Sequence, residues 1–159
     1  MRRFAGFAHV STPSQRLCAG EDPLRSSLSD QIEAAGFMDD VVMPGYVDDP
    51  CAWIQAADVL VLASRHEGLG SVLIVALACG TQIDSTDCPS SPAEIIVNGR
   101  YGQLAQVDDV LVLAKALQLA LGQSFYLEPA TLAHRAVVFS PEHAANRYLE
   151  LLTVNKTWS

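Results

Sequence analysis

The amino-acid sequence predicts an α/β fold with a Rossmann-like parallel sheet flanked by helices. Segments with the pattern of strands alternate along the chain with segments that have the pattern of helices, which is typical of such folds. The clearest strand, at 58–63, is apolar on both faces, as a central parallel strand requires. The chain has 159 residues, of which 50% are hydrophobic and 18% charged, enough for one domain with a real core.

Two helices in the first third of the chain begin with the same pair of residues. An Asp-Pro pair opens each of the segments 22–35 and 49–57, and places an N-capping aspartate before a proline in the first turn. A weaker strand pattern at 15–19 precedes the first helix, and a short apolar strand at 41–43, ended by a Pro-Gly pair, precedes the second.

The middle of the chain continues this alternation. Ser71 is expected to cap a short helix that Gly80 ends, and 81–83 is expected to form the next strand. The residues Ser-Pro-Ala-Glu at 91–94 have the form of a capping box, and 98–100 has the composition of a turn.

Three helices are predicted to complete the chain. Asp108 or Asp109 starts a long apolar helix that ends at Gly122. The segment 127–138 is expected to be helical, and a Ser-Pro pair opens a last helix over 140–152.

The charge of the chain excludes two broad classes of partner. The formal net charge is −8 and the isoelectric point is about 4.7, whereas nucleic acids and anionic lipid surfaces require a basic face. No apolar run reaches the length of a membrane span. A phosphorylated small molecule is compatible with this charge, because helix N-termini and main-chain amides bind phosphate with few basic side chains.

The cysteines and histidines indicate neither a disulfide framework nor a metal site. The four cysteines form no Cys-x-x-Cys pair, so we expect reduced thiols and a cytoplasmic location. His9, His134 and His143 lack the spacing of metal ligands, and the sequence predicts no metal and no other cofactor. Trp53 is expected to pack in the core.

The loop that follows the central strand, 64–70, is the most informative segment for function. It places Glu67 beside Gly68 and Gly70, ahead of a helix that begins near Ser71. Glycines let main-chain amides approach a ligand, a helix N-terminus attracts phosphate or sugar oxygens, and a carboxylate accepts hydrogen bonds from sugar hydroxyls. On these residues alone, an ordinary strand-to-helix turn with a solvated glutamate is the simpler interpretation.

Several motifs occur in a fixed order along nearly the whole chain. They are LCAGEDPLRSSL, PGYVDDPCAWIQAADV, ADVLVLASRHEGLGSVLIVALACGT, STDCPSSPAEIIVNGRYGQL and FSPEHAANRYLELL. Together they resemble the C-terminal domain of group 1 (family 4) retaining glycosyltransferases, which have two Rossmann-like domains in the GT-B fold. The resemblance implies that residues 1–159 are a single, N-terminally truncated domain of this kind, and the STDCP run resembles members that build bacterial surface polysaccharide.

The resemblance also implies roles for individual residues. Glu67 matches the first glutamate of the family signature, which lies beside the donor sugar and is linked to catalysis. The amides of 68–70 would face the donor sugar and its diphosphate, 45–47 would lie near the nucleotide base, and Gly20 would border the same cleft. The implied substrate-binding set is Gly20, Gly45, Tyr46, Val47, Arg65, His66, Gly68, Leu69, Gly70, Ser71 and Val75. The implied ligand is a UDP- or GDP-type nucleotide sugar.

Departures from the family pattern put donor binding in doubt. Val75 stands where the family has a second glutamate that holds the ribose hydroxyls, and losing such a charged acceptor costs about 1.5–3 kcal/mol. No residues match the basic pair that grips the diphosphate, and Asp22 replaces a usual glycine. Gln82 and Asp84 replace a usual proline and an aliphatic residue, and Asp84 is costly inside a buried strand unless it is paired or lies at the strand's end.

Two functions of different classes remain open at this stage. The first is retaining transfer of a sugar from a nucleotide donor to a glycan or lipid-linked acceptor, with the isolated chain inactive or weak. A second chain would then supply the acceptor domain. The alternative is a non-catalytic remnant or a nucleotide-binding or interaction module. Dropping a strand would leave a sheet edge exposed, so a homodimer through that edge is also considered.

Overall fold

The computed structural model describes residues 16–19, 23–89 and 92–154. The strands are β1 (Arg16–Ala19), β2 (Val41–Gly45), β3 (Val59–Leu62), β4 (Gln82–Thr86) and β5 (Gln103–Ala105). The α-helices are α1 (Arg25–Ala34), α2 (Pro50–Gln55), α3 (Ser71–Cys79), α4 (Pro92–Ile95), α5 (Val110–Leu121), α6 (Pro129–Ala136) and α7 (Pro141–Val154). Short 3₁₀ helices lie at Met38–Asp40 and Val137–Phe139.

The described strands form two parallel sheets. β1 pairs with β2, while β4 lies between β3 and β5 in a three-stranded sheet. In the second sheet Val61 is opposite Asp84, and Asp84 is opposite Gln103. Parallel pairing with helices between successive strands confirms the predicted α/β class, and it brings the carboxyl ends of β3, β4 and β5 to one edge.

The core lies between the second sheet and helices α3 and α6. Its most deeply buried side chains include Leu73 and Leu77 of α3, Ile83 of β4, Ile96 directly after α4, and Leu132 of α6. Removing this apolar surface from water is the main stabilising contribution. It fixes α3, and therefore the loop before it, against the sheet.

Three of the predicted caps are confirmed at the helix ends, while Asp22 and Ser91 lie outside the described residues. The Asp49 carboxylate accepts a hydrogen bond from the Ala52 amide at 3.1 Å, and the Asp109 carboxylate accepts one from the Val112 amide at 2.9 Å. The Ser140 hydroxyl accepts the His143 amide at 3.1 Å. Each side chain satisfies an amide that the first turn leaves without a partner in the helix.

Several predicted boundaries are wrong. The first helix begins at Arg25, later than the Asp-Pro pair indicated. The N-cap of α3 is Gly70 in the left-handed region, with φ +49°, so Ser71 is the first helical residue instead of the cap. The predicted strand at 81–83 begins one residue later and runs on to Thr86, and β5 was not predicted. Trp53 is 45% exposed, so it does not pack in the core as expected.

The cysteines of the described chain are all free thiols. Within the described residues, no group of three or more metal-binding side chains is present, and no helix has the length and apolar character to cross a membrane. The cytoplasmic location stays a prediction.

Candidate functional site

The carboxylate of Glu67 is held in place by a residue that follows β3. Among the described residues β3 is an edge strand of the second sheet and not the central strand that was predicted. The buried Ser64 hydroxyl donates a hydrogen bond to Glu67 Oε1 at 2.5 Å. Ser64 is fixed in turn by the hydroxyl of Thr86, at the end of β4, which donates to the Ser64 carbonyl. The half-buried Glu67 side chain is therefore positioned by two neighbouring strands instead of being freely solvated.

The glycines after Glu67 leave the loop open to solvent. Gly68 is exposed, and a Cβ added there would have no heavy atom within 4 Å. Gly70 turns the chain into α3 with a left-handed backbone that favours glycine. His66 and Leu69 are exposed on the same loop, and Ser71 is exposed at the first position of α3. A ligand can therefore approach the amides at the N-terminus of α3, where the helix dipole favours negative charge.

Arg65 joins this loop to the segment that follows β5. Its Nε donates to Asp108 Oδ1 at 2.7 Å, and both side chains are at least half exposed. Asp108 has a positive φ of 66°, and Asp109 directly after it caps α5. The guanidinium of Arg65 is thus already occupied by a carboxylate, although an exposed ion pair of this kind contributes little to stability.

A shallow open pocket lies where these segments meet. It is lined by Ala63, Ser64, Arg65, Thr86, Val107, Asp108, Asp109, Val110 and Leu113. The pocket lies at the carboxyl ends of β3 and β4, where ligands bind in open parallel sheets.

Cys88 lies in the loop after β4, and its thiol is close to the carboxylate of Glu67. Cys88 is buried, and burial raises the pKa of its thiol, with the Glu67 carboxylate as the second cause. A thiol with a raised pKa remains protonated and is a poor nucleophile. Cys88 therefore contributes a buried side chain that packs beside the site and not a nucleophile.

The other predicted binding residues are distributed over two further segments. Gly45 ends β2 with a φ of +81° and is buried, while Tyr46 after it is 77% exposed and Val47 is half-buried. Val75 is half-buried in the middle of α3, where it packs against the core. Gly20 lies outside the described residues. The structure thus places 45–47 at the end of a strand of the first sheet and 64–71 after a strand of the second.

Asp84 is a buried carboxyl two residues before Thr86. Its side chain is 0% exposed and lies in the middle of β4, so the strand-end alternative does not apply. Gln103 Nε2 donates to Asp84 Oδ1 at the long distance of 3.5 Å, and Oδ2 is without a partner among the described residues. Burial raises the pKa of Asp84 to about 7. The carboxyl is therefore a destabilising element of the sheet next to the site.

Three residues that hold the site together were not predicted. Ser64 and Thr86 connect β3 with β4, and Asp108 binds Arg65 across 43 positions of sequence. The only signal in the sequence was the capping pattern at 108–109. It predicted where the helix starts but not that Asp108 would bind Arg65.

The comparisons with known proteins agree on one family. Residues 7–123 match the family model described as "Glycosyl transferases group 1". The lipopolysaccharide core biosynthesis glycosyltransferase LpsE of Rhizobium meliloti is 30% identical over 136 residues, which cover 84% of this chain and 40% of LpsE.

Solved structures show the same fold. TarM matches with a TM-score of 0.76 at 21% identity, over 86% of this chain and 28% of TarM. HepE of Anabaena, solved in complex with UDP, matches with a TM-score of 0.73 at 19% identity, over 89% of this chain and 41% of HepE. This chain therefore spans less than half of the length of each of these three proteins.

Proposed function

The chain belongs to the group 1 glycosyltransferases, and from this premise we propose that it forms the nucleotide-sugar-binding part of a retaining glycosyltransferase. The donor would be a UDP- or GDP-type nucleotide sugar, and the acceptor a glycan or a lipid-linked sugar. Glu67 would lie beside the donor sugar.

The observation that carries this proposal is the hydrogen-bonded carboxylate of Glu67 close to the N-terminus of α3. Ser64 holds Glu67 at 2.5 Å, and the open glycine loop beside it leaves the helix N-terminus accessible. A fixed carboxylate can accept hydrogen bonds from sugar hydroxyls without losing side-chain freedom on binding. The amides at 68–70 offer hydrogen-bond donors to diphosphate oxygens.

The same site explains why binding is expected to be weak. Val75 offers no oxygen to the ribose hydroxyls and instead packs against the core. Arg65, the cation of this loop, is paired with Asp108 at 2.7 Å. Because Arg65 is engaged by Asp108, the 64–70 loop offers no unpaired arginine to the diphosphate. The leaving group then loses electrostatic stabilisation, often the largest contribution to catalysis. We therefore propose that the isolated chain is inactive or weakly active, and that a second chain supplies the acceptor-binding part.

A non-catalytic binding or interaction module is the second candidate. The pairing of Arg65 and the apolar packing of Val75 favour it, because both remove groups that would bind a donor. An interaction module would bind no nucleotide in the predicted cleft. A non-catalytic nucleotide-binding module would bind one but transfer no sugar.

Calorimetric titration of UDP, and then of GDP, into the chain and into a Val75→Glu variant tests the proposal. We expect saturable binding that tightens about tenfold or more in the variant, since a carboxylate restores one charged hydrogen-bond acceptor. Val138→Glu is the matched control, because it adds the same charge at a position that is 43% exposed and lies in the 3₁₀ helix after α6.

Absence of binding by both proteins, each shown to be folded, would contradict the donor-binding proposal and support the interaction module. Equal tightening in Val75→Glu and Val138→Glu would also count against it, because the effect would then not come from the predicted cleft.

A further inference from the structure

Two cysteines that are 28 positions apart in sequence meet where α2 begins and α3 ends. Cys51 is the second residue of α2, and Cys79 is the last residue of α3. The Cys79 sulfur lies 3.9 Å from the main-chain oxygen of Cys51 and donates a hydrogen bond to it. The two thiols are close enough for Cys51 to help raise the pKa of Cys79. The remaining cysteines lie on other elements: Cys18 on β1 and Cys88 in the loop after β4.

The two thiols differ in their access to solvent. Cys51 is exposed, whereas Cys79 is half-buried. Burial raises the pKa of the Cys79 thiol, and the adjacent Cys51 and the Asp49 carboxylate raise it further. A protonated thiol reacts slowly with oxidants, so the exposed Cys51 is the sulfur that meets a dissolved oxidant first.

We propose that Cys51 and Cys79 form a reversible intramolecular disulfide when the protein is exposed to hydrogen peroxide. In the first step the Cys51 thiolate attacks one peroxide oxygen, the O–O bond breaks, and hydroxide leaves and is protonated to water, giving a sulfenic acid at Cys51. In the second step the Cys79 sulfur attacks the sulfenic sulfur. The S–O bond breaks, and the leaving hydroxide takes the Cys79 proton to form a second water.

The bond would join the first turn of α2 to the last turn of α3. The other end of α3 begins at its N-cap Gly70, the last residue of the 64–70 loop that contains Glu67. The cross-link closes the chain between positions 51 and 79, which reduces the conformational freedom of the unfolded state. Oxidation is therefore expected to raise the Tm by roughly 5–10 °C.

The test uses the chain with Cys88 changed to alanine, because Cys79 and Cys88 share one tryptic peptide, 66–100, while Cys51 lies in peptide 26–65. The Cys88→Ala protein, at low micromolar concentration and about pH 8, is treated with hydrogen peroxide, quenched with an alkylating reagent, and digested. We expect the cross-linked pair of these peptides in the monomer band, loss of two thiols, and return of both after reduction with dithiothreitol.

Cys51→Ser and Cys79→Ser, each in the Cys88→Ala background, should show neither the cross-link nor the rise in Tm, and Cys18→Ser should show both. Unmodified thiols after treatment, sulfinic or sulfonic acid at Cys51 without a cross-link, or a disulfide that joins two molecules would each overturn the proposal. In the wild-type chain, digestion with a protease that cleaves before aspartate separates Cys79 from Cys88 at Asp84 and Asp87. The cross-linked peptides then give a reading that does not depend on whether the variants fold.

Discussion

At the residue scale, the buried carboxyl of Asp84 makes stability depend on pH. Its pKa is about 7 in the folded protein, above its ordinary value of 3.8, because burial disfavours the charged form. The folded state therefore binds this proton more tightly than the unfolded state. The free energy of unfolding is therefore highest with respect to this group below about pH 4, where the carboxyl is protonated in both states. It falls as the pH rises to about 7, because the carboxyl ionises in the unfolded state before it ionises in the folded state.

Asp84→Asn is expected to remove this dependence. Relative to wild type, the variant should gain roughly 3 kcal/mol in the free energy of unfolding between about pH 5 and pH 8, since one pKa unit corresponds to about 1.4 kcal/mol. Urea unfolding at both pH values measures the gain. Asp30→Asn, which alters an exposed aspartate in α1, is the control and should show no such difference. Parallel pH curves for wild type and Asp84→Asn would refute the raised pKa.

The residues of this site that could be predicted are neighbours in sequence, and those that could not are brought together by the fold. Glu67, Gly68 and Gly70 lie within four positions, so a local pattern was enough to single them out. The Ser64–Thr86 and Arg65–Asp108 contacts instead depend on the register of β3 with β4 and on where β5 ends. Register is set by packing of distant segments, which a single sequence does not display.

At the scale of elements, the close packing of α3 against α6 depends on the glycine that ends α3. Gly80 has a left-handed φ of +73°, and a Cβ added there would lie 2.7 Å from Cβ of Pro129, the first residue of α6. Both the backbone conformation and the space exclude a side chain. The predicted helix end at Gly80 is confirmed, and its second role became visible only with α6 in place.

Gly80→Ala should therefore lose about 2–4 kcal/mol in the free energy of unfolding, from the strained backbone and the displaced α6. Gly68→Ala is the matched control, because no atom lies within 4 Å of the added Cβ and its φ is not left-handed. It should change stability by about 0.5 kcal/mol or less. Chemical denaturation of both variants provides the comparison, and equal losses would disprove the close approach of Pro129.

The strands illustrate the limits of sequence patterns at this scale. The apolar run at 58–63 predicted β3 to within one residue at each end. β5 was missed because it has three residues and begins with Gln103, whose side chain donates to the Ala116 carbonyl at 2.9 Å instead of facing solvent. A half-buried glutamine whose amide is hydrogen-bonded to a helix elsewhere in the chain gives no alternating pattern in the sequence.

At the scale of the whole molecule, the strands are divided between two sheets that do not hydrogen-bond to each other within the described residues. β1 pairs with β2, and β3 pairs with β4, so each sheet has an edge strand with main-chain groups available for pairing. Such edges favour association with another chain.

We accordingly expect the isolated chain to form a homodimer at micromolar concentration. Sedimentation velocity over a range of concentrations would show a species of about twice the 17.1 kDa mass of the chain. A monodisperse monomer throughout the range would contradict association through the sheet edges. Addition of a second chain that carries the acceptor-binding part should replace the homodimer with a mixed complex.

The division into two sheets also affects how the molecule opens. Main-chain amides in β1 and β2 are protected from solvent exchange only while their own pairing persists, whereas those in β4 are bonded on both sides. Local opening of the first sheet leaves the core between α3, α6 and the second sheet intact. The turn at 45–47, which follows β2, thus belongs to a part of the chain that can unfold and refold while Glu67 keeps its place.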